Sequence, residues 1–332
     1  MRGRQSRRRP VGALEGTRFS GYLLRDRLGQ GSHTAVYRAS APSGEWCALK
    51  LVDAQLEDGP SLAARLRRDA PLLAHIGDPR ILPILDPIAS EDMTGAVMPL
   101  VDAQSLRDLM RSGGLDSDLA WSILTQVADS LDSAHRRGLT YKVLKPANIL
   151  VRNANVYLAE FGVTGRWAGQ VGLAAPNCQL DGAQYLAPEQ IMGEEPDHRA
   201  DIYAFGVLAF ELATSTALHA APEPSMILQR TLEDRPPSAS ARNPQIPTEV
   251  DGVLRRALAR DPGQRYASVR QLIHELASPP PAPAPPPGGF EEPTRDPLVE
   301  VLPEPEELTV ESLIDVLSGL LTPDVGQEGA NG

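Results

Sequence analysis

The hydrophobic period of this chain changes once, near residue 105, and that change restricts the fold more than any other feature. Before it, Tyr22 to Leu28, Ala35 to Ala39, Trp46 to Val52, Ile81 to Ile88 and Ala96 to Val101 are short alternating or apolar runs that read as strands. Pro42-Ser43-Gly44 supplies a turn between the second and third. A single helix interrupts them, Ser61 to His75, with Leu62, Leu66, Leu73 and Ile76 as its apolar side. After Ser105 the spacing is helical over 105–112, 118–136, 199–214, 225–232, 248–259 and 268–277. Strands first and helices afterwards predict an α+β protein with a small β-rich lobe and a larger helical one.

Proline and charge mark where the folded body ends. Pro279 to Pro287 holds seven prolines, a semi-rigid extended stretch that cannot enter a packed core. From Ser278 onward eleven carboxylates face a single arginine, Arg295, so this segment carries nearly all of the net charge of −11. Within it Val310, Ile314, Leu317 and Leu321 recur at helical spacing, with Leu313 and Leu320 alongside and Glu311 and Asp315 flanking. The expected organisation is a basic disordered tail over 1–16, a folded body over 17–277 divided at 101/102, an acidic Pro-rich linker over 278–306, an acidic amphipathic helix over 307–322 and a disordered end over 323–332. That helix is a docking element for a protein partner or an arm that folds back on its own body.

Several function classes drop out. No run reaches the about 18 apolar residues of a membrane span, and the five arginines among the first nine residues lack the apolar stretch of a secretory signal. Two cysteines, Cys47 and Cys178, make no disulfide framework and fit a reducing, cytoplasmic setting. The body is mildly acidic, which argues against a specific nucleic-acid surface. The six histidines show no metal-ligand spacing.

Five ordered motifs then carry a resemblance. Gly29-Gln30-Gly31-Ser32-His33-Thr34-Ala35-Val36, Ala48-Leu49-Lys50, Lys145-Pro146-Ala147-Asn148, Phe161-Gly162 and Ala187-Pro188-Glu189 follow one another as in the protein-kinase signature set. From about Thr17 to Ala277 the chain resembles bacterial serine/threonine kinase domains, which implies the bilobal kinase fold. Lysine usage fits: of 32 basic residues only Lys50, Lys142 and Lys145 are lysine, and all three stand in these motifs or beside them.

The resemblance implies a nucleotide site. Gly29 and Gly31 let backbone approach phosphate, although Thr34 replaces the third glycine; without a nucleotide the same residues are an ordinary hairpin. Lys50 would pair with phosphate and with the acidic residue of the following helix, here Asp69, one methylene shorter than the family's glutamate. Val97 to Val101 resembles the lobe connector, with Met98 as gatekeeper, Pro99 offering only its carbonyl and Val101 an N–H. Val36, Ala48 and Leu150 would sandwich adenine, or are plain core residues.

The chemistry departs from the family. In Tyr141-Lys142-Val143-Leu144-Lys145-Pro146-Ala147-Asn148, Val143 stands where the family's aspartate accepts the substrate proton, while Lys145 and Asn148 are retained. Glu160-Phe161-Gly162 replaces Asp-Phe-Gly, so Asn148 and a longer carboxylate arm at Glu160 would hold Mg²⁺ weakly or not at all. Thr164 is the only Ser or Thr between Glu160 and Glu189, Gly182 replaces the family's loop threonine, and Lys142 replaces the arginine that receives a loop phosphate. The scaffold positions are kept: Phe161, Gly162, a Glu189–Arg265 ion pair, and Asp201 poised to accept backbone donors from the catalytic loop. The expectation is a pseudokinase: a catalytically impaired signalling scaffold or regulator that could bind ATP weakly and works through protein partners at the C-lobe and the acidic helix. The alternative is a slow or unorthodox ATP-dependent serine/threonine kinase, or another nucleotide-using transferase.

Overall fold

The structure is a computed structural model that describes residues 11–30, 34–53, 59–90, 93–142, 144–159 and 180–280. Gly31, Val143, Glu160, Phe161, Gly162, Thr164 and Cys178 lie outside the described residues, as do the distal linker and the acidic segment.

The first lobe is an antiparallel sheet of β1 (Arg18–Phe19), β2 (Tyr22–Gln30), β3 (Thr34–Ser40), β4 (Trp46–Asp53), β5 (Asp86–Ala89) and β6 (Met93–Pro99) in the order β1-β2-β3-β4-β6-β5. Its faces differ because side chains alternate along each strand. Ala35, Tyr37 and Ala39 of β3, with Cys47, Leu49 and Leu51 of β4, form a small core on one side. Val52, Ala96 and Met98 project from the other side into the main core, which they share with Leu66 and Leu73 of helix α1 (Gly59–Ala74) and with residues of the second lobe.

Two expectations are corrected here. Residues 11–16, read as disordered tail, are part of the lobe. Val11 and Leu14 are buried beside Phe19. The Tyr37 hydroxyl donates to the Val11 carbonyl at 2.6 Å and accepts from the Leu14 N–H at 3.2 Å. A buried phenol needs such partners, and this short strap supplies them. The run Ile81 to Ile88 is not one strand either. Pro83 has no N–H for a ladder, Ile81 makes only an isolated bridge to Leu158, and pairing resumes at Asp86. Pro87 is tolerated because β5 is an edge.

The second lobe contains α2 (Leu106–Arg111), α3 (Ser117–His135), α4 (Leu180–Ala183), α5 (Pro188–Met192), α6 (His198–Thr214), α7 (Pro224–Glu233), α8 (Ala239–Arg242), α9 (Thr248–Ala257) and α10 (Val269–Ala277). Side chains start several of them: Asp116 accepts from Leu119 N–H, and Ser268 from Gln271 N–H. α6 is buried along nearly its whole length, as a helix apolar on every face must be. A three-stranded sheet of β7 (Gln104–Ser105), β8 (Ile149–Arg152) and β9 (Asn155–Leu158) accompanies these helices. Its β9 also bonds the first lobe: Leu82 N–H donates to the Leu158 carbonyl at 3.0 Å, and Leu158 N–H to the Arg80 carbonyl at 2.6 Å. No helix among the described residues is long and apolar enough to cross a membrane.

Candidate functional site

Strand register brings the nucleotide-motif residues into one line. Gly29 lies opposite Val36, Val36 opposite Lys50, and Lys50 opposite Ala96, so the four form a row across β2, β3, β4 and β6. Arg38, Ala48 and Met98 form the next row. Directly opposed residues share a face, and this is the face that turns Ala96 and Met98 toward the second lobe. Val36 and Ala48 remain half-buried on it, while Ala35, Tyr37 and Leu49 behind them are wholly buried. Leu150 of β8 is likewise half-buried. Pro99 ends β6 opposite Cys47, and Val101 follows it, half-exposed. Lys50 is only 4% exposed, so its long stem is covered and its ammonium is committed to this face.

The expected Lys50–Asp69 pairing is corrected. Asp69 sits on α1, but its carboxylate takes Arg68, with Nε at 2.8 Å and Nη2 at 3.4 Å, and no ion pair within 4.0 Å joins it to Lys50 among the described residues. The cation that Asp69 meets is the adjacent Arg68. Hydrogen bonding to Asp69 in turn pushes the Arg68 guanidinium up.

Below the sheet, α6 holds the stem of the catalytic loop. Asp201, fully buried, accepts from the Tyr141 N–H at 2.7 Å and the Lys142 N–H at 2.6 Å, and its Oδ2 lies 2.7 Å from His135 Nε2. Lys142 has φ +76°, a left-handed conformation that costs a non-glycine residue on the order of 1 kcal/mol. It is fixed from both sides, because its carbonyl also accepts Gln190 Nε2 at 2.8 Å. Tyr141 is buried, and its hydroxyl donates to the Ala159 carbonyl and reaches the Asn148 carbonyl at 3.4 Å. Sequence reasoning assigned no role to Tyr141, His135 or Gln190. The signal available for Tyr141 was its place in the motif, where the family has histidine: a larger polar aromatic in a buried slot needs an acceptor.

A second polar centre lies deeper. Arg265 Nη1 and Nη2 each meet a Glu189 carboxylate oxygen at 2.7 Å. The same guanidinium donates to the carbonyls of Ala259 at 2.8 Å, Arg199 at 2.9 Å and Arg260 at 3.2 Å. All five N–H groups of the side chain are thus used, and the pair carries no unmet desolvation cost at the arginine.

The fold family implies a divalent cation beside the phosphates, and the donor types fit one. Asn148, buried, closes the turn Pro146–Asn148 that half-buried Lys145 begins. Ala159 N–H donates to the Asn148 carbonyl at 3.0 Å, so the chain reaches Glu160 from a residue bonded to Asn148. An amide oxygen and a carboxylate are the hard donors that Mg²⁺ takes. Among the described residues there is no cluster of three or more His, Cys, Asp or Glu side chains suited to a metal ion.

Comparison with known proteins agrees with this geometry. The Protein kinase domain family matches residues 22–276. The chain is 34% identical over 275 residues to serine/threonine-protein kinase PknF of Mycobacterium tuberculosis, covering 79% of this chain and 58% of that protein. It is 32% identical over 260 residues to the probable serine/threonine-protein kinase SCO3848 of Streptomyces coelicolor, covering 76% and 38%. A crystal structure of the Mycobacterium tuberculosis PknI kinase domain superposes with a TM-score of 0.62 at 27% identity, over 79% of this chain and 97% of that one. The chain therefore spans little more than half the length of the first relative and less of the second. The expectation that it is not an enzyme is overturned by these relatives, which are named as kinases.

Proposed function

Since the chain belongs to the protein kinase family, we propose that it is an unorthodox ATP-dependent serine/threonine protein kinase that transfers phosphate without the usual proton-accepting aspartate. The row of Gly29, Val36, Lys50 and Ala96, turned toward the second lobe, is the observation that carries this reading. It sets a lysine between a backbone-accessible glycine and the half-open surface of Val36 and Ala48. Adenine would lie against Val36, Ala48 and Leu150, with the Pro99 carbonyl and the Val101 N–H at its edge. Lys50 would pair with phosphate oxygens as a compact charge.

Phosphoryl transfer places little covalent demand on the protein, because its transition state is loose and charge is spread over the equatorial oxygens. The bond from the terminal phosphorus to the bridging oxygen of ADP breaks while the substrate hydroxyl oxygen bonds to that phosphorus. With Val143 in place of an acceptor, the hydroxyl proton leaves to water or to the transferred phosphoryl oxygens. Lys145 stabilises the charge on those oxygens. Asn148 and Glu160 would hold Mg²⁺, which when bound neutralises phosphate charge. The longer arm of Glu160 makes that affinity lower than for an aspartate.

Transfer of labelled phosphate from ATP to a protein acceptor, compared between the parent and Lys50→Met at several Mg²⁺ concentrations, tests this. Slow transfer that vanishes in the variant is expected. A parent no faster than Lys50→Met would refute it.

A further inference from the structure

Lys142 begins the catalytic loop in a backbone conformation that two side chains impose on it. Its φ of +76° lies in a region that a residue other than glycine keeps only when its surroundings hold it there. A residue's φ and ψ set the relation between the two peptide planes that flank its Cα. Asp201 fixes the first plane, because its carboxylate accepts the Lys142 N–H at 2.6 Å. Gln190 fixes the second, because its Nε2 donates to the Lys142 carbonyl at 2.8 Å. With Asp201 alone the second plane could turn, and with it the direction in which the chain sets out toward Lys145.

Gln190 can hold that plane because it is itself held. It is buried, and its Oε1 accepts from the Ala187 N–H at 3.0 Å. A flipped carboxamide would set its NH₂ against an N–H and its oxygen against a carbonyl, so the two bonds admit one orientation. The helix that carries it, α5, is anchored at the preceding residue, where both Glu189 carboxylate oxygens meet Arg265. The Arg265 centre thus backs Gln190, and Gln190 backs the loop. At the loop's far end the Asn148 carbonyl accepts from Ala159 N–H at 3.0 Å. Lys145, which opens the turn Pro146–Asn148, lies between the two held ends.

We propose that Gln190 is a positioning residue for phosphate transfer, which by fixing the Lys142 carbonyl places Lys145 against the phosphoryl oxygens. The proposal rests on the kinase reading above. With valine at 143 instead of a proton acceptor, the rate depends on how well the remaining groups are placed. Gln190 belongs to α5 and not to the sheet row that would bind ATP, so its effect falls on kcat rather than on KM for ATP.

Steady-state transfer from ATP by the parent, Gln190→Leu and Gln190→Glu, measured well below their unfolding temperatures, tests this. Gln190→Leu removes both hydrogen bonds at nearly constant volume. Its kcat should fall by at least about tenfold, with KM for ATP within about twofold of the parent. Gln190→Glu keeps the acceptor for Ala187 but can donate to the Lys142 carbonyl only when its carboxyl is protonated. Its kcat relative to the parent should therefore recover as pH falls, which a loss of packing would not produce. Amide hydrogen exchange at Lys142 should be at least about tenfold faster in Gln190→Leu. An unchanged kcat, a loss confined to KM, or a Gln190→Glu deficit equal at every pH overturns the proposal. Should Gln190→Leu fail to fold, the pH profile of Gln190→Glu decides. A parent no faster than Lys50→Met refutes the kinase reading by itself; the exchange rates then decide whether Gln190 holds the loop, and equal rates in parent and variant reject that hold.

Discussion

The centre around Arg265 and the sheet face around Lys50 both use a buried cation, and they are built in opposite ways. Arg265 spends every donor inside the protein, on one carboxylate and three carbonyls. The face bearing Lys50 stays half-open at Val36 and Ala48. A saturated centre fixes the chain. A half-open one leaves surface that a ligand could cover. Mutations should therefore separate, those in the first region acting on folding and those in the second on turnover.

The largest effect is expected at the saturated centre. Arg265→Ala leaves Glu189 buried without its cation, and denaturant unfolding should register a loss of about 3–5 kcal/mol. A loss below about 1 kcal/mol would mean that the region is held by packing alone. Next comes Val143→Asp, which returns a proton acceptor to the catalytic loop. Turnover should rise by roughly 10²–10⁴-fold, the usual worth of general-base catalysis, with thermal stability nearly unchanged. No increase would show that the rate is limited elsewhere, at the Glu160 side of the site.

Asp201→Asn falls between the two regions and sharpens the comparison. The amide cannot take all the donors that the carboxylate takes, and hydrogen bonds to charged groups contribute about 1.5–3 kcal/mol each. Stability should drop by about that amount and phosphate transfer should be lost together with it. Selective loss of one alone would dissociate loop positioning from folding.

The smallest effect is a pH dependence. Burial raises the Asp251 carboxyl, but the Ser240 and Ser238 hydroxyls and the Ser240 and Ala239 N–H groups outweigh it and hold the group below its ordinary value. A depressed folded pKa contributes stability that is present above the unfolded pKa, about 3.9, and is lost as pH falls through the lower folded value. Asp251→Asn should unfold about 1 kcal/mol more easily at neutral pH, in the range of a lost helix cap, and show a shallower decline in acid. Asp78 responds in the same direction: burial raises it, but hydrogen bonds from the Arg80 side chain and N–H prevail.

Much of the fold was legible because its strands and helices advertise their period. β3 alternates cleanly, and α3, α6 and α10 begin and end within a residue or two of their apolar repeats. The β8–β9 hairpin was missed, although Ile149, Val151, Val156 and Leu158 alternate around Asn153. Its turn also places Ala154 at φ +62°, and alanine gives no warning of that. The row from Gly29 to Ala96 was invisible as a row, since register depends on pairing partners that no single strand specifies. The motifs located Lys50, Asn148, Glu189, Asp201 and Arg265 by number, yet not the partners Gln190 and His135, because contacts between distant segments leave no local pattern. Asp69 was misjudged because its carboxylate meets the adjacent Arg68, a local partner that the motif register does not take into account.

The paired amides between Arg80–Leu82 and Leu158 have a mechanical consequence. β9 is bonded to β8 on one edge and to the small lobe on the other, so a swing of that lobe must either carry β9 along or break two backbone bonds. Two residues beyond Leu158 is the carboxylate of Glu160. The hydrogen bonds that join the two lobes are thus carried by the strand whose sequence runs on to Glu160.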